Sequence, residues 1–82
     1  MHPPAALPLA SVRKRQLLSQ RALARQARVA LSTIYLIEAG RTEHATFKVM
    51  RAVSDALAVP PESIAEFRRV MDAAPNPRSP RP

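Results

Sequence analysis

The side chains able to do covalent, metal or proton chemistry are few in this chain and poorly spaced for it. There is no cysteine, and the two histidines, His2 and His44, stand too far apart for an H-x₃-H metal face. Six carboxylates are scattered, with no second acid, histidine or metal ligand at a useful spacing for acid–base work. The single glycine, Gly40, excludes a P-loop or a G-x-G-x-x-G loop, since each needs several glycines where backbone meets phosphate. No catalytic residue, metal site or cofactor is expected. What the chain has in quantity is guanidinium: eleven Arg and two Lys against six acids, a formal net charge of +7. That chemistry binds anions, and the balance favours nucleic acid or an acidic membrane surface as partner.

Eighty-two residues make one small domain. Seven of the nine prolines lie at the two ends, so residues 1–8 and 75–82 read as disordered Pro-rich tails around a domain at 9–74. Arg78 and Arg81 fall in the second tail, which leaves most of the basic excess on the domain. No apolar run approaches the ~18–20 residues of a membrane span. The N-terminus lacks a basic n-region, and Pro3, Pro4 and Pro8 interrupt any apolar helix there. A soluble cytoplasmic protein with no membrane partner is expected.

Ala, Leu, Arg and Gln dominate the middle, and no useful stretch alternates with period two, so the predicted fold class is all-α. The pattern predicts a first helix over about Leu9–Leu18. Ser19 reads as the N-cap of a second, Gln20–Ala27, with Leu23, Ala24 and Ala27 as its apolar stripe. A third covers Leu31–Ala39 and ends at Gly40, the natural left-handed residue. Thr46 caps a fourth over Phe47–Leu57, and Pro61 is predicted to sit at the first position of a fifth. Five short helices on short connections make a compact bundle.

The second and third helices are joined only by Arg28-Val29-Ala30, the length of a helix-turn-helix connection. The stretch Leu18-Ser19-Gln20-x-x-Leu23-Ala24-x-x-Ala27-x-Val29-x-x-x-x-Ile34-x-x-Ile37-Glu38-x-Gly40 resembles the lambda-repressor-like, Cro-type helix-turn-helix family. Arg13 matches that family's helix-one arginine, and Leu57-Ala58-Val59 its fourth-helix ending, so the resemblance covers most of residues 9–67. Several positions depart from the pattern. Arg28 replaces a turn glycine and implies a bulky residue at positive φ. Ala30 replaces the usual Ser/Thr cap. The loop after Gly40 is one residue longer and has Ala45 where a proline is common.

At 100° per residue, Ile34 and Ile37 define the inward direction of the third helix, and Ser32, Tyr35 and Leu36 point outward with Leu31 at the flank. The resemblance implies that this outward face lies in the DNA major groove, with Leu31, Ser32, Tyr35 and Leu36 at base edges. It also implies that Gln20 bonds a phosphate and braces the recognition helix, and that Arg41 and Thr42 contact the DNA backbone. Arg21 and Arg28 are added because they flank the same surface. Arg13 and Glu38 are implied to form a buried structural ion pair.

Ile64, Phe67 and Met71 share one apolar face of the fifth helix, widened by Val70. That stripe is read as core, with some of it left for a homodimer contact. The expected function is a DNA-binding transcriptional regulator of repressor type, nucleoid-associated and dimeric. The alternative is a protein-interaction module, motivated by apolar Leu31 and Leu36 where Gln, Arg or Lys would read bases. In that reading the Leu31/Tyr35/Leu36 face meets RNA polymerase, a sigma factor or a toxin.

Overall fold

Two hydroxyl caps start two of the helices. The Ser19 hydroxyl accepts from the Ala22 N–H at 3.0 Å and opens α2, Gln20–Ala27; the Thr46 hydroxyl accepts from the Val49 N–H at 3.2 Å and opens α4, Phe47–Leu57. The computed structural model describes residues 5–73, where α1 (Leu9–Arg15), α3 (Leu31–Glu38) and α5 (Ala65–Ala73) complete an all-α domain. Short 3-10 turns at Thr42–His44 and Pro61–Ser63 link α3 to α4 and α4 to α5. Residues 1–4 of the expected first tail, and the whole of the second, 75–82, lie outside the described residues.

α2 packs against both α3 and α4, so the helix-turn-helix pair is backed by the longest helix. Leu9, Leu23, Ile34, Ile37, Val53 and Phe67 are wholly buried between these layers. Each contributes on the order of 1.5–3 kcal/mol by leaving water.

Three boundaries differ from expectation. α1 stops at Arg15 rather than Leu18. Leu17 takes a left-handed φ of 59°, and the Leu18 N–H returns to the Arg13 carbonyl at 3.2 Å. The turn aims the Leu18 carbonyl at the Arg13 guanidinium, 2.8 Å away. α3 ends at Glu38, one residue early, and Gly40 closes it at φ 93°.

At the third boundary, Pro61 opens the 3-10 turn instead of a continuous fifth helix. Ile64 is extended there because it pairs with Leu7. The Leu7 N–H donates to Ser63 O at 3.0 Å, and the Leu7 carbonyl accepts from the Ala65 N–H at 2.7 Å. The first tail therefore does not reach residue 8 as a free segment. Leu7 is tied into the domain, and Pro8 stands at the start of α1.

Glu66 was not foreseen. It is buried, and its Oε1 accepts from the Leu9 N–H at 2.8 Å, capping an α1 whose N-cap residue, Pro8, makes no side-chain bond. Glu66→Ala removes the acceptor and strands a buried donor, so a loss of about 1–3 kcal/mol is expected. A circular-dichroism melt checks it; an unchanged Tm would show that the cap contributes nothing.

Candidate nucleic-acid interface

The turn between α2 and α3 begins with Arg28 at φ 58°, ψ 43°, the left-handed conformation expected there. The Val29 N–H returns to the Ala24 carbonyl at 3.0 Å, and the Val29 side chain packs against the core. A side chain with a Cβ in this conformation costs about 1–2 kcal/mol. Arg28→Gly is therefore expected to stabilise the domain by about 0.5–1 kcal/mol, after glycine's larger entropy loss on folding. The same change removes an exposed guanidinium from this surface. A lower Tm in the glycine variant would count against strain at this turn.

α3 starts without a side-chain cap at Ala30. Ile34 and Ile37 are wholly buried, which places Ser32, Tyr35 and Leu36 on the opposite side of the helix. Ser32 is exposed, Tyr35 is 60% exposed and Leu36 is half-buried. Leu31 differs from them: it is half-buried and part of its side chain packs against the core.

A four-residue knot holds α3 in place. Arg13 Nε donates to Glu38 Oε2 at 2.7 Å, and Arg13 Nη2 donates to Glu38 Oε1 at 3.0 Å. Arg13 Nη1 donates to Leu18 O, and Gln20 Nε2 donates to the same Glu38 Oε1 at 2.9 Å. The side chains of Arg13 and Glu38 are only 10% and 8% exposed. The hydrogen bond to Glu38 raises the Arg13 pKa above its ordinary value, against the opposing effect of burial. Gln20 thus braces the end of α3 through one amide hydrogen and keeps a second N–H.

The knot also shapes the electrostatics. Glu38 is the one acid on α2 and α3, and it is turned inward onto Arg13. Arg21, Arg25 and Arg28 are exposed on α2 and its C-cap at i, i+4 and i+7, a helical ridge. Arg25 was missed in the sequence, although that spacing was available to find it.

Arg41, just past Gly40, donates from Nε to Glu43 Oε2 at 2.9 Å, with both side chains more than half exposed. The Glu43 carboxyl is held below its usual range, first by its own backbone N–H and then by Arg41. An exposed pair of this kind is weak and yields to a competing phosphate. Thr42 is half-buried in the following 3-10 turn.

The expected dimer stripe needs correction. Ile64 and Phe67 are wholly buried in the core and present nothing to a partner. Val70 and Met71 remain half-buried. A groove of about 490 Å³ between α4 and α5 is also open, lined by Phe47, Met50, Arg51, Ser54, Asp55, Pro61 and Met71. Phe47 there is 67% exposed. The buried Ser54 hydroxyl has no hydrogen-bond partner among the described residues.

Among the described residues no group of three or more His, Cys, Asp and Glu could hold a metal ion, and no helix is long and apolar enough to cross a membrane. A family model described as a helix-turn-helix domain matches residues 6–67. The comparisons with curated proteins and with solved structures return no match.

Proposed function

The chain belongs to the helix-turn-helix domain family, and from that membership we propose that it is a Cro-type transcriptional regulator that docks α3 in the DNA major groove as a homodimer. One observation carries the reading. The outward face of α3 is accompanied by exposed Arg21, Arg25, Arg28 and Arg41, while Glu38, the acid of the helix pair, is committed to Arg13. Phosphate contacts from these groups fix register, and Ser32, Tyr35 and Leu36 face the bases. In this reading Gln20 and Thr42 contact the same backbone, and half-buried Leu31 reaches the groove with its outer edge only. The domain acts by binding rather than by catalysis, as a repressor, in the cytoplasm and at the nucleoid.

Selection from a random duplex library at about 150 mM salt tests the reading. A recovered palindrome binding ~10³-fold or more above scrambled DNA is the expected result. Two half-sites about one helical turn apart would match a two-fold dimer, for which exposed Phe47 beside half-buried Met71 offers an apolar contact. Arg41→Ala is expected to weaken binding to every duplex alike and to lower the salt slope by about one. A preserved slope would remove Arg41 from the phosphate contacts.

A second reading, a protein-interaction module, draws on the 60% exposure of Tyr35 beside Leu36. Leu36→Lys separates the two. A protein contact is abolished by the buried charge, whereas DNA affinity is kept or raised.

A further inference from the structure

The outward face of α3 is unusual in what it lacks. Between Leu31 and Glu38 there is no Arg, Lys, Asn or Gln, and Glu38 is turned away onto Arg13. The bidentate pairings that identify guanine or adenine are therefore missing from the recognition helix. Two chemistries remain. Ser32 and Tyr35 offer hydroxyls, and Leu36 together with the Tyr35 ring offers apolar surface.

A hydroxyl both donates and accepts, so it meets thymine O4 and the cytosine amino group about equally well. It does little to tell them apart. The apolar surface does discriminate, because in the major groove a pyrimidine shows one apolar feature, the methyl at C5. Leu36 is half-buried on the far side of the helix from wholly buried Ile34, so it retains surface for such a contact.

Resting on the DNA-binding reading above, we propose that this face recognises C5-methylated pyrimidines, and that the presence of the methyl rather than the hydrogen-bond pattern decides which base is accepted. Thymine carries that methyl by constitution and cytosine carries it after C5 methylation. The exposed arginines supply affinity without sequence, and the methyl contacts supply preference. Preference accumulates in small steps, because each methyl withdrawn from water contributes about a fourfold change in binding. The ligand is then duplex DNA rich in A·T pairs at the contacted positions, and binding at a C·G pair there responds to methylation of that cytosine.

The experiment changes the DNA and leaves the protein intact. The best duplex from the random-library selection is resynthesised with deoxyuridine replacing thymine, one position at a time, which deletes the C5 methyl and keeps every hydrogen-bonding group. At the same positions C·G and 5-methylcytosine·G pairs are compared. The expected result is a loss of about fourfold per contacted methyl on going to uracil, and a gain of similar size from cytosine to 5-methylcytosine. A response at thymine alone, with cytosine and 5-methylcytosine bound equally, overturns the claim that the methyl decides irrespective of the hydrogen-bond pattern.

Leu36→Ala is expected to erase both differences while phosphate-driven affinity for scrambled DNA persists. Equal binding of the thymine and uracil duplexes, with the selected sequence still preferred over scrambled DNA, overturns methyl recognition and leaves the regulator reading standing. Retention of both methyl effects in Leu36→Ala and in Tyr35→Ala alike overturns their assignment to this face. Failure of the selection to enrich any sequence overturns methyl recognition together with sequence-preferring binding.

Discussion

Glu38→Ala is expected to remove about 3–5 kcal/mol of stability, the largest loss of any single substitution considered for this domain. The carboxylate accepts three hydrogen bonds, two from Arg13 and one from Gln20, and both charged side chains are about nine-tenths buried. Deleting it leaves the guanidinium under the surface with only Leu18 O as partner. At about 0.05–0.15 kcal/mol per residue, a domain of this size has only about 4–12 kcal/mol in all, so the loss takes a quarter of it or more. A urea titration followed by circular dichroism should show the unfolding midpoint shifted far toward zero denaturant.

The double change Arg13→Met with Glu38→Leu should recover much of the loss, since it leaves no unpaired charge. A cost below about 1 kcal/mol for Glu38→Ala would mean that the pair is solvated. The pH dependence follows from the raised pKa of Arg13. Its contribution is full below the unfolded arginine pKa and is lost only as pH rises through the folded value. It should therefore be flat across neutral and moderately alkaline pH. None of these residues needs to touch a base for the loss to reach DNA binding, because the knot joins α1, α2 and the end of α3.

What could be read in the sequence follows how local each determinant is. The limits of α2 and α4 were legible because Ser19 and Thr46 each cap a helix three residues away and the apolar stripes follow directly. The left-handed turn at Arg28 was legible only through the family resemblance, which marks a glycine position, and the geometry agrees at φ 58°. The Arg13–Glu38 pair came the same way, since a separation of 25 residues has no local signature.

Most of the misses are tertiary, and the first is a local turn. Leu17 turns left-handed without a glycine to announce it, in order to bring Leu18 O to Arg13. Glu66 caps a helix start 57 residues away. Ile64 leaves the helical conformation to pair with Leu7. The period of the Ile64/Phe67/Met71 stripe marks an apolar face, but which neighbour covers it depends on packing, and packing put the first two wholly inside.

For the recognition surface the variant with the largest expected effect is Ser32→Glu, which should lower DNA affinity by at least about a hundredfold, several kcal/mol of like-charge and desolvation cost. Ser32 lies nearest the centre of the outward face, opposite buried Ile34 and Ile37, and is exposed. A carboxylate there would face phosphates and base acceptors with no cation on α3 to neutralise it. The fold should not suffer. Ser32 is in the first turn of a helix without a side-chain cap, where a negative charge stabilises by about 0.3–1 kcal/mol through the helix dipole.

The variant therefore pulls stability and binding in opposite directions, a combination that unfolding cannot imitate. Ser32→Ala supplies the contrast, because it deletes one hydroxyl without adding charge. It should lower affinity for the selected duplex only slightly while leaving the affinity for scrambled DNA nearly intact. Melting curves and fluorescence anisotropy on the same preparations would check both. A Ser32→Glu protein that melts at or above the parent temperature and still binds the selected duplex equally well would mean that α3 does not face the bases. The exposed arginines would then hold DNA through the backbone alone, and Tyr35 and Leu36 would be left for a protein partner.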